Sequence, residues 1–360
     1  MKLLYYIPHR LINNPIVEEI DPVTTSFLKM FNTWISLADR TATLDIPGVP
    51  VYNNSPMPAQ NKPLGFEYCA NQRMSEIINT FKTSTTKEKL VVLYSGGIDS
   101  TLIVCLMIAN PYWDDIKDRV LLAFNEDSQV ENPEFFKQII LPKFGKNLIS
   151  SNRFYDIVSN PKYSCITGEC ADNLFGSLTL KSYMDSQLDY TLIHQPWETG
   201  SLIWLLNKVK EYRDEREQML YDLVNASPIS IDSNHDFLWW INFTMKWQAV
   251  KYRMSMHAPT AEQAVAMAGS VINFFDSEEF QRWALYSTEP KLGDTWASYK
   301  LPAKLLINSI WSNEKYLRYK TKWPSLPGIT RYNNAWGFLW EDDQGQLVAT
   351  KDLDKNYFLS

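Results

Sequence analysis

The sequence predicts an α/β fold built on an open parallel sheet, followed by an α-helical region. Nearly continuous apolar runs at 89–94 and 120–124 have the composition of buried parallel strands, and two further strands are predicted at 147–150 and 163–167. Helical patterns separate these runs, and alternating strands and helices are typical of a parallel sheet with right-handed crossovers. After about residue 186 the apolar residues recur at helical spacing instead, which predicts a mainly helical region.

The remaining elements follow from local patterns. A glycine turn after the first strand leads into an apolar helix from Ser100 to Ala109, and Asn132 with Pro133 has the form of an N-cap and first helical residue of a helix reaching Phe144. Further helices are predicted at 74–81, 201–224, 236–256 and 261–275, and a hairpin at 337–349. The expected divisions are an irregular accessory segment at 1–80, an α/β domain at 81–190, a helical domain at 191–325, and a hairpin and tail at 326–360.

Composition narrows the classes of protein. The 360-residue chain has a formal net charge of −6, and an acidic total disfavours a broad nucleic-acid surface without excluding a local one. The basic cluster of Lys315, Arg318, Lys320 and Lys322 is interpreted as a solvated helix face. No leader pattern and no run of the ~20 apolar residues that a membrane span needs is present, so a cytoplasmic protein without a membrane partner is expected. The four cysteines lack paired spacing, which disfavours a zinc site.

The first motif with a chemical meaning is Ser95-Gly96-Gly97-Ile98-Asp99-Ser100-Thr101, between a predicted strand and a predicted helix. Two glycines allow a tight turn that directs backbone N–H groups toward one point. The start of the helix adds its positive dipole end and further N–H donors. Ser95, Ser100 and Thr101 contribute hydroxyl groups. The pattern differs from the lysine-containing P-loop and from the dinucleotide fingerprint, but it predicts an anion cradle.

The other motif is Thr167-Gly168-Glu169-Cys170-Ala171-Asp172-Asn173-Leu174-Phe175-Gly176, which follows the fourth predicted strand. Ligands of open α/β sheets bind at the carboxyl ends of the strands, so both motifs are expected to border one crevice. Asp99 and Asp172 are then candidate oxygen ligands for Mg²⁺ bound to nucleotide phosphates.

These motifs resemble a known superfamily. The segment 95–100 is similar to the SGGxDS signature of the PP-loop ATP pyrophosphatases, whose fold is HUP-like and which cleave ATP between the α- and β-phosphates. The segment from Gly168 onward resembles GEGADELFGGY of the asparagine synthetase family. The resemblance implies that Glu169 acts near an acyl-adenylate and that Asp172 is a Mg²⁺ ligand. Cys170, Asn173 and Ser177 depart from the family's Gly, Glu and Gly.

The resemblance extends, more thinly, to about residue 310. Asn273-Phe274-Phe275-Asp276 is similar to the family's PF-L-D segment, and the stretch from Ser298 to Lys304 resembles its K-x-x-L-R element. Lys300 falls on the catalytic lysine that stabilises phosphate charge. Lys304 stands where Arg is usual, and Pro302 is unexpected in a helix. The family's adenine pocket corresponds to Leu93, Phe124 and Thr167, and Gly168 is also expected to bind the nucleotide.

The sequence thus predicts an ATP- and Mg²⁺-dependent, AMP-forming amide ligase acting on a carboxylate or carbonyl oxygen and an amine. Glutamine-dependent members of the family begin with a Cys after Met removal, whereas Lys2 follows Met1 here, and residues 1–80 are too short for a glutaminase domain. Free ammonia, a separate amine or an amine of the same substrate is therefore expected. Two alternatives stay open: a PP-loop enzyme that modifies a nucleobase or tRNA, and a non-catalytic ATP-binding regulator. Oligomeric state is left open.

Overall fold

The computed structural model describes residues 1–7, 10–11, 22–31, 35–36, 38–44, 51–59, 62–187, 189–293, 295–321 and 336–353. Within these ranges the strands are β1 Lys2–Tyr6, β2 Lys89–Leu93, β3 Val120–Phe124, β4 Leu148–Ser150, β5 Tyr163–Thr167, β6 Ile272–Asn273, β7 Phe338–Glu341 and β8 Leu347–Thr350. The α-helices are α1 Pro22–Met30, α2 Phe66–Thr83, α3 Ile98–Ala109, α4 Trp113–Ile116, α5 Glu126–Glu131, α6 Pro133–Phe135, α7 Leu141–Phe144, α8 Phe154–Val158, α9 Ala171–Phe175, α10 Ser177–Gln187, α11 Ser201–Leu206, α12 Arg213–Asn225, α13 Asn234–Met245, α14 Trp247–Arg253, α15 Ala261–Ser270, α16 Glu278–Tyr286, α17 Leu301–Ile310 and α18 Glu314–Tyr319.

The chain forms two compact units. The first unit contains 1–60, 172–265 and 332–360, and the second contains 61–171 and 266–331. Each unit combines segments that are distant in sequence. The domain boundaries expected from the sequence follow the order of the chain instead, and they stay predictions.

The second unit contains the parallel sheet. Its five strands run in the order β4-β3-β2-β5-β6, and every neighbouring pair is parallel. The predicted α/β class with a parallel sheet is therefore confirmed, with strand bounds within a residue of those expected. The helix expected at 261–275 was wrong at its carboxyl end, because it ends at Ser270 and is followed by strand β6. Ile272 and Asn273 instead pair with Ile166 and Thr167, while Phe274 and Phe275 are fully buried.

Helices of the second unit pack around this sheet. The 12-residue helix α3 is apolar along most of its length, which suits an element that contacts β2, α2 and α17 on different sides. The predicted helix from Asn132 to Phe144 is present: Asn132 Oδ1 accepts from the Phe135 N–H, and Pro133 begins the first turn. It continues through a π-helical segment at Phe136–Ile140 into α7.

The first unit has an antiparallel sheet of order β1-β7-β8. The predicted hairpin is confirmed as β7 and β8. The predicted helix at 201–224 is divided into α11 and α12, with Tyr212 at a left-handed φ of 52° immediately before α12. The helix expected at 236–256 is likewise divided at Lys246. Tryptophans of α13 form part of the core, where Trp240 Nε1 donates to the Leu223 carbonyl at 2.7 Å.

Candidate functional site

The glycine loop 95–97 connects the carboxyl end of β2 to α3. Gly96 has a φ of 80°, and a Cβ there would lie 2.5 Å from the Ser128 carbonyl oxygen, so only glycine fits this position without strain. Gly97 is the N-cap of α3 and makes no side-chain cap hydrogen bond. The glycine at 96 therefore follows from the turn itself, and the turn places the positive end of α3 at the carboxyl ends of the strands.

The hydroxyl groups of the loop bond to one another. Ser95 Oγ and Ser100 Oγ are 3.1 Å apart, and the Gly97 N–H donates to Ser95 Oγ at 3.3 Å. Ser95 is exposed, whereas Ser100 is buried. Thr101 is fully buried, with its Oγ1 3.5 Å from Asn132 Nδ2. The serines thus line the loop, while Thr101 contacts the helix region behind it.

The motif at 167–176 begins directly against this loop. Thr167 ends β5, and its Oγ1 accepts from the Glu169 N–H at 3.3 Å. A Cβ on Gly168 would lie 2.7 Å from Asp99 Cβ, so a larger residue would displace the start of α3. Residues 95–101 and 167–169 therefore meet at the carboxyl ends of neighbouring strands, as expected for the crevice of an open α/β sheet.

Lys300 joins these two motifs from a distant part of the chain. It is the N-cap of α17 with a φ of 61°, and its side chain is 1% exposed. Its Nζ donates to both oxygens of Asp99, at 2.7 and 2.5 Å. Burial lowers the pKa of Lys300, while the negative charges of Asp99, Glu169 and Glu131 act in the opposite direction. Pro302 is compatible with α17 because it lies in the first turn, where its missing N–H has no helical partner to lose.

Another lysine, Lys320, bonds to Glu131 beside the loop, and its interpretation as part of a solvated basic face was wrong. Lys320 is 10% exposed, and its Nζ donates to both the carbonyl oxygen and Oε1 of Glu131 at 3.0 Å. Glu131 Oε1 lies 3.5 Å from the position of a Cβ on Gly97. Lys315 and Arg318 are exposed as expected, and Lys322 lies outside the described residues. No local pattern distinguishes Lys320 from Lys315, because the partner of Lys320 is 189 positions away.

The departures from the family pattern at 170 and 173 have distinct structural settings. Cys170 has a φ of 69° and is buried, so it occupies a backbone conformation that favours glycine. Asn173 is fully buried, and neither polar atom of its side chain has a hydrogen-bond partner among the described residues. Asp172 belongs to the first unit, where its carbonyl oxygen accepts from Asn242 Nδ2 at 3.3 Å.

The residues predicted for an adenine pocket end neighbouring strands. Leu93 and Phe124 are half-buried at the carboxyl ends of β2 and β3, and the Phe124 ring centroid lies 5.2 Å from that of Phe136. Thr167 is buried at the end of β5. An apolar and aromatic surface at these strand ends is compatible with a planar ring.

The carboxylates at the site are too few to hold a metal ion alone, but they suffice for Mg²⁺ that is also bound by substrate phosphates. Among the described residues there is no group of three or more His, Cys, Asp or Glu side chains able to hold a metal. Mg²⁺ in nucleotide sites needs only one or two protein carboxylates, because substrate phosphates and water supply its other ligands. An ionised carboxylate has about four lone-pair sites, so Asp99 can accept from Lys300 and still contact a cation.

No protein-family model matches the chain, and no curated protein is significantly similar to it. Within the described part of the chain, no helix combines the length and apolar character that crossing a membrane requires.

Proposed function

We propose that the protein is an ATP-dependent, AMP-forming amide ligase of the asparagine synthetase type. The ion pair between buried Lys300 and half-buried Asp99, beside the glycine loop, is the observation that carries this proposal. Removing an ion pair from water carries a desolvation cost that the attraction between the two charges does not always offset, so the burial of Lys300 against Asp99 requires a reason. Stabilising the charge that develops as pyrophosphate leaves ATP is such a reason.

The proposed roles follow the positions of the groups. The backbone of 96–97 and the serine hydroxyls bind the departing pyrophosphate, and Lys300 and Lys320 balance its charge. Leu93, Phe124 and Thr167 bind the adenine ring. Asp99 would hold a magnesium ion, which would neutralise phosphate charge. Glu169 accepts the proton of the attacking amine. It is placed for this role because it directly follows Gly168, which lies against Asp99.

The bonds balance in two steps. A carboxylate oxygen forms a bond to the α-phosphorus while the α–β phosphoanhydride bond breaks and pyrophosphate leaves. The amine then forms a C–N bond as the C–O bond to the adenylate breaks, AMP leaves and Glu169 takes the proton. An amide, AMP and pyrophosphate are the products.

A direct test uses ATP with a panel of carboxylic acids and hydroxylamine as the amine. We expect AMP, pyrophosphate and a hydroxamate in equal amounts with one class of acid. Formation of ADP and phosphate instead would contradict the proposal, as would wild-type turnover by Asp99→Ala. Absence of any hydroxamate, with AMP transferred to a nucleobase or tRNA, would favour the base-modifying alternative.

Lys300→Met should reduce the rate of AMP formation about 10²–10³-fold, because one group that stabilises the transition state is lost. Lys315→Met is the matched control, since Lys315 is 77% exposed and should leave the rate unchanged. Thermal unfolding of both variants shows whether a lower rate of AMP formation comes from a loss of catalysis or from a loss of folded protein. Equal rates for Lys300→Met and the wild type would remove Lys300 from the mechanism.

A further inference from the structure

Lys304 is a buried lysine without a role in the reaction as described above. It lies in α17, is fully buried, and forms no ion pair with any described carboxylate. Burial lowers its pKa to about 8. Burying an ammonium group costs free energy. The hydrogen bonds of Lys304 Nζ that offset this cost therefore indicate its role.

One contact of Lys304 fixes the segment that precedes Lys300. Its Nζ donates to the carbonyl oxygen of Ala297, which belongs to the 3₁₀ turn Trp296–Ser298. Three residues later the chain reaches Lys300 in its left-handed conformation. The bond to Ala297 therefore restrains the turn from which the Lys300 side chain extends to Asp99.

The other contact fixes the backbone of Lys320. Lys304 Nζ donates to the Lys320 carbonyl oxygen at 3.4 Å, just after α18 ends. The far end of the Lys320 side chain bonds to Glu131 beside the glycine loop. Lys304 thus holds one end of Lys320 while Glu131 holds the other.

We propose that Lys304 is a positioning residue that holds Lys300 and Lys320 together as one array facing the glycine loop. A single ammonium group suits this task because it donates up to three hydrogen bonds and both of its acceptors are carbonyl oxygens of the lysine-bearing segments. The proposal rests on the proposed function, since the array is built to meet the phosphates of ATP.

The first test measures the affinity of inorganic pyrophosphate with Mg²⁺ by calorimetry. Lys304→Met keeps the side-chain volume but removes the donors, and should raise Kd roughly tenfold. Lys304→Arg keeps charge and donors and should restore most of the affinity. In a Lys320→Met background, Lys304→Met should reduce the pyrophosphate affinity by a clearly smaller factor than in the wild type, because part of its effect acts through Lys320. Unchanged affinity in Lys304→Met, or the same loss in both backgrounds, would overturn the proposal.

The other test needs no nucleotide chemistry. Acetylation of individual lysines by an amine-reactive ester is followed by peptide mass spectrometry, with exposed Lys315 as the internal reference. Lys320 should react slowly in the wild type and in Lys304→Arg, and at a rate approaching that of Lys315 in Lys304→Met. If neither the wild type nor the variants bind pyrophosphate, but Lys320 is acetylated faster in Lys304→Met, the proposed phosphate site is contradicted and the positioning role is supported. A constant Lys320 rate with intact pyrophosphate binding would refute the positioning role alone.

Discussion

Two residues of the candidate site have a backbone conformation that is unfavourable for their type. Cys170 and Lys300 have φ values of 69° and 61°, and the left-handed region costs a non-glycine residue about 1–2 kcal/mol. Such conformations persist where surrounding contacts enforce them, often at functional positions. For Lys300 the enforced geometry directs a buried ammonium to Asp99. For Cys170 the enforced conformation is one that glycine adopts without steric cost.

Replacement of Cys170 separates backbone strain from side-chain packing. Cys170→Gly and Cys170→Ala both remove the sulfur, so their difference reports the backbone conformation. We expect the glycine variant to be the more stable by about 1 kcal/mol in chemical denaturation, the reverse of the usual order in helices and strands. Higher stability of the alanine variant would show that the left-handed conformation relaxes without cost.

At the scale of elements, local patterns predicted those elements whose cause is local. Strands β3 and β5 have the predicted bounds. Strand β3 is a continuous apolar run, which is the composition of a strand buried on both faces. Strand β6 has only two residues, and its identity depends on pairing with β5, which no local pattern encodes. The break before α12 depends on Tyr212 in a left-handed conformation, a residue type that gives no signal for it.

The glycine loop offers a prediction with an internal control. Gly96→Ala would carry the cost of a positive φ together with a Cβ 2.5 Å from the Ser128 carbonyl oxygen. Gly345→Ala at the β7–β8 turn has a similar φ of 76° with no atom within 4 Å of the new Cβ. We expect Gly345→Ala to lose about 1 kcal/mol of stability, and Gly96→Ala to lose more.

The same pair tests the loop as an anion site. Pyrophosphate affinity, measured by calorimetry, should fall in Gly96→Ala because the loop must shift, and should be unchanged in Gly345→Ala. Equal stabilities of the two variants, combined with equal pyrophosphate affinities, would show that the turn tolerates a side chain.

At the scale of the molecule, the candidate site is assembled from segments that are distant in sequence. Motifs identified the residues of 95–101 and 167–169, because their glycines and acids serve a local turn and a helix start. The resemblance pointed to Lys300, but its contact with Asp99 spans 201 positions. Glu131 and Lys320 escaped prediction because charge compensation between distant residues leaves no periodicity or spacing. The second compact unit contains all of these residues.

This grouping predicts where ligand binding stabilises the protein. A ligand that binds only the folded state stabilises it by about 2.7 kcal/mol at 100 times Kd, which corresponds to about 100-fold slower exchange of amides that require unfolding. With Mg²⁺ and pyrophosphate, hydrogen exchange should slow most in β2, β3 and β5, whose carboxyl ends meet the loop and Thr167. The strands β1, β7 and β8 belong to the first unit and should slow less. Sulfate at matched ionic strength serves as the control, because it tests a general salt effect. Equal protection of both sheets, or equal protection by sulfate, would mean that the glycine loop is not where the polyphosphate binds.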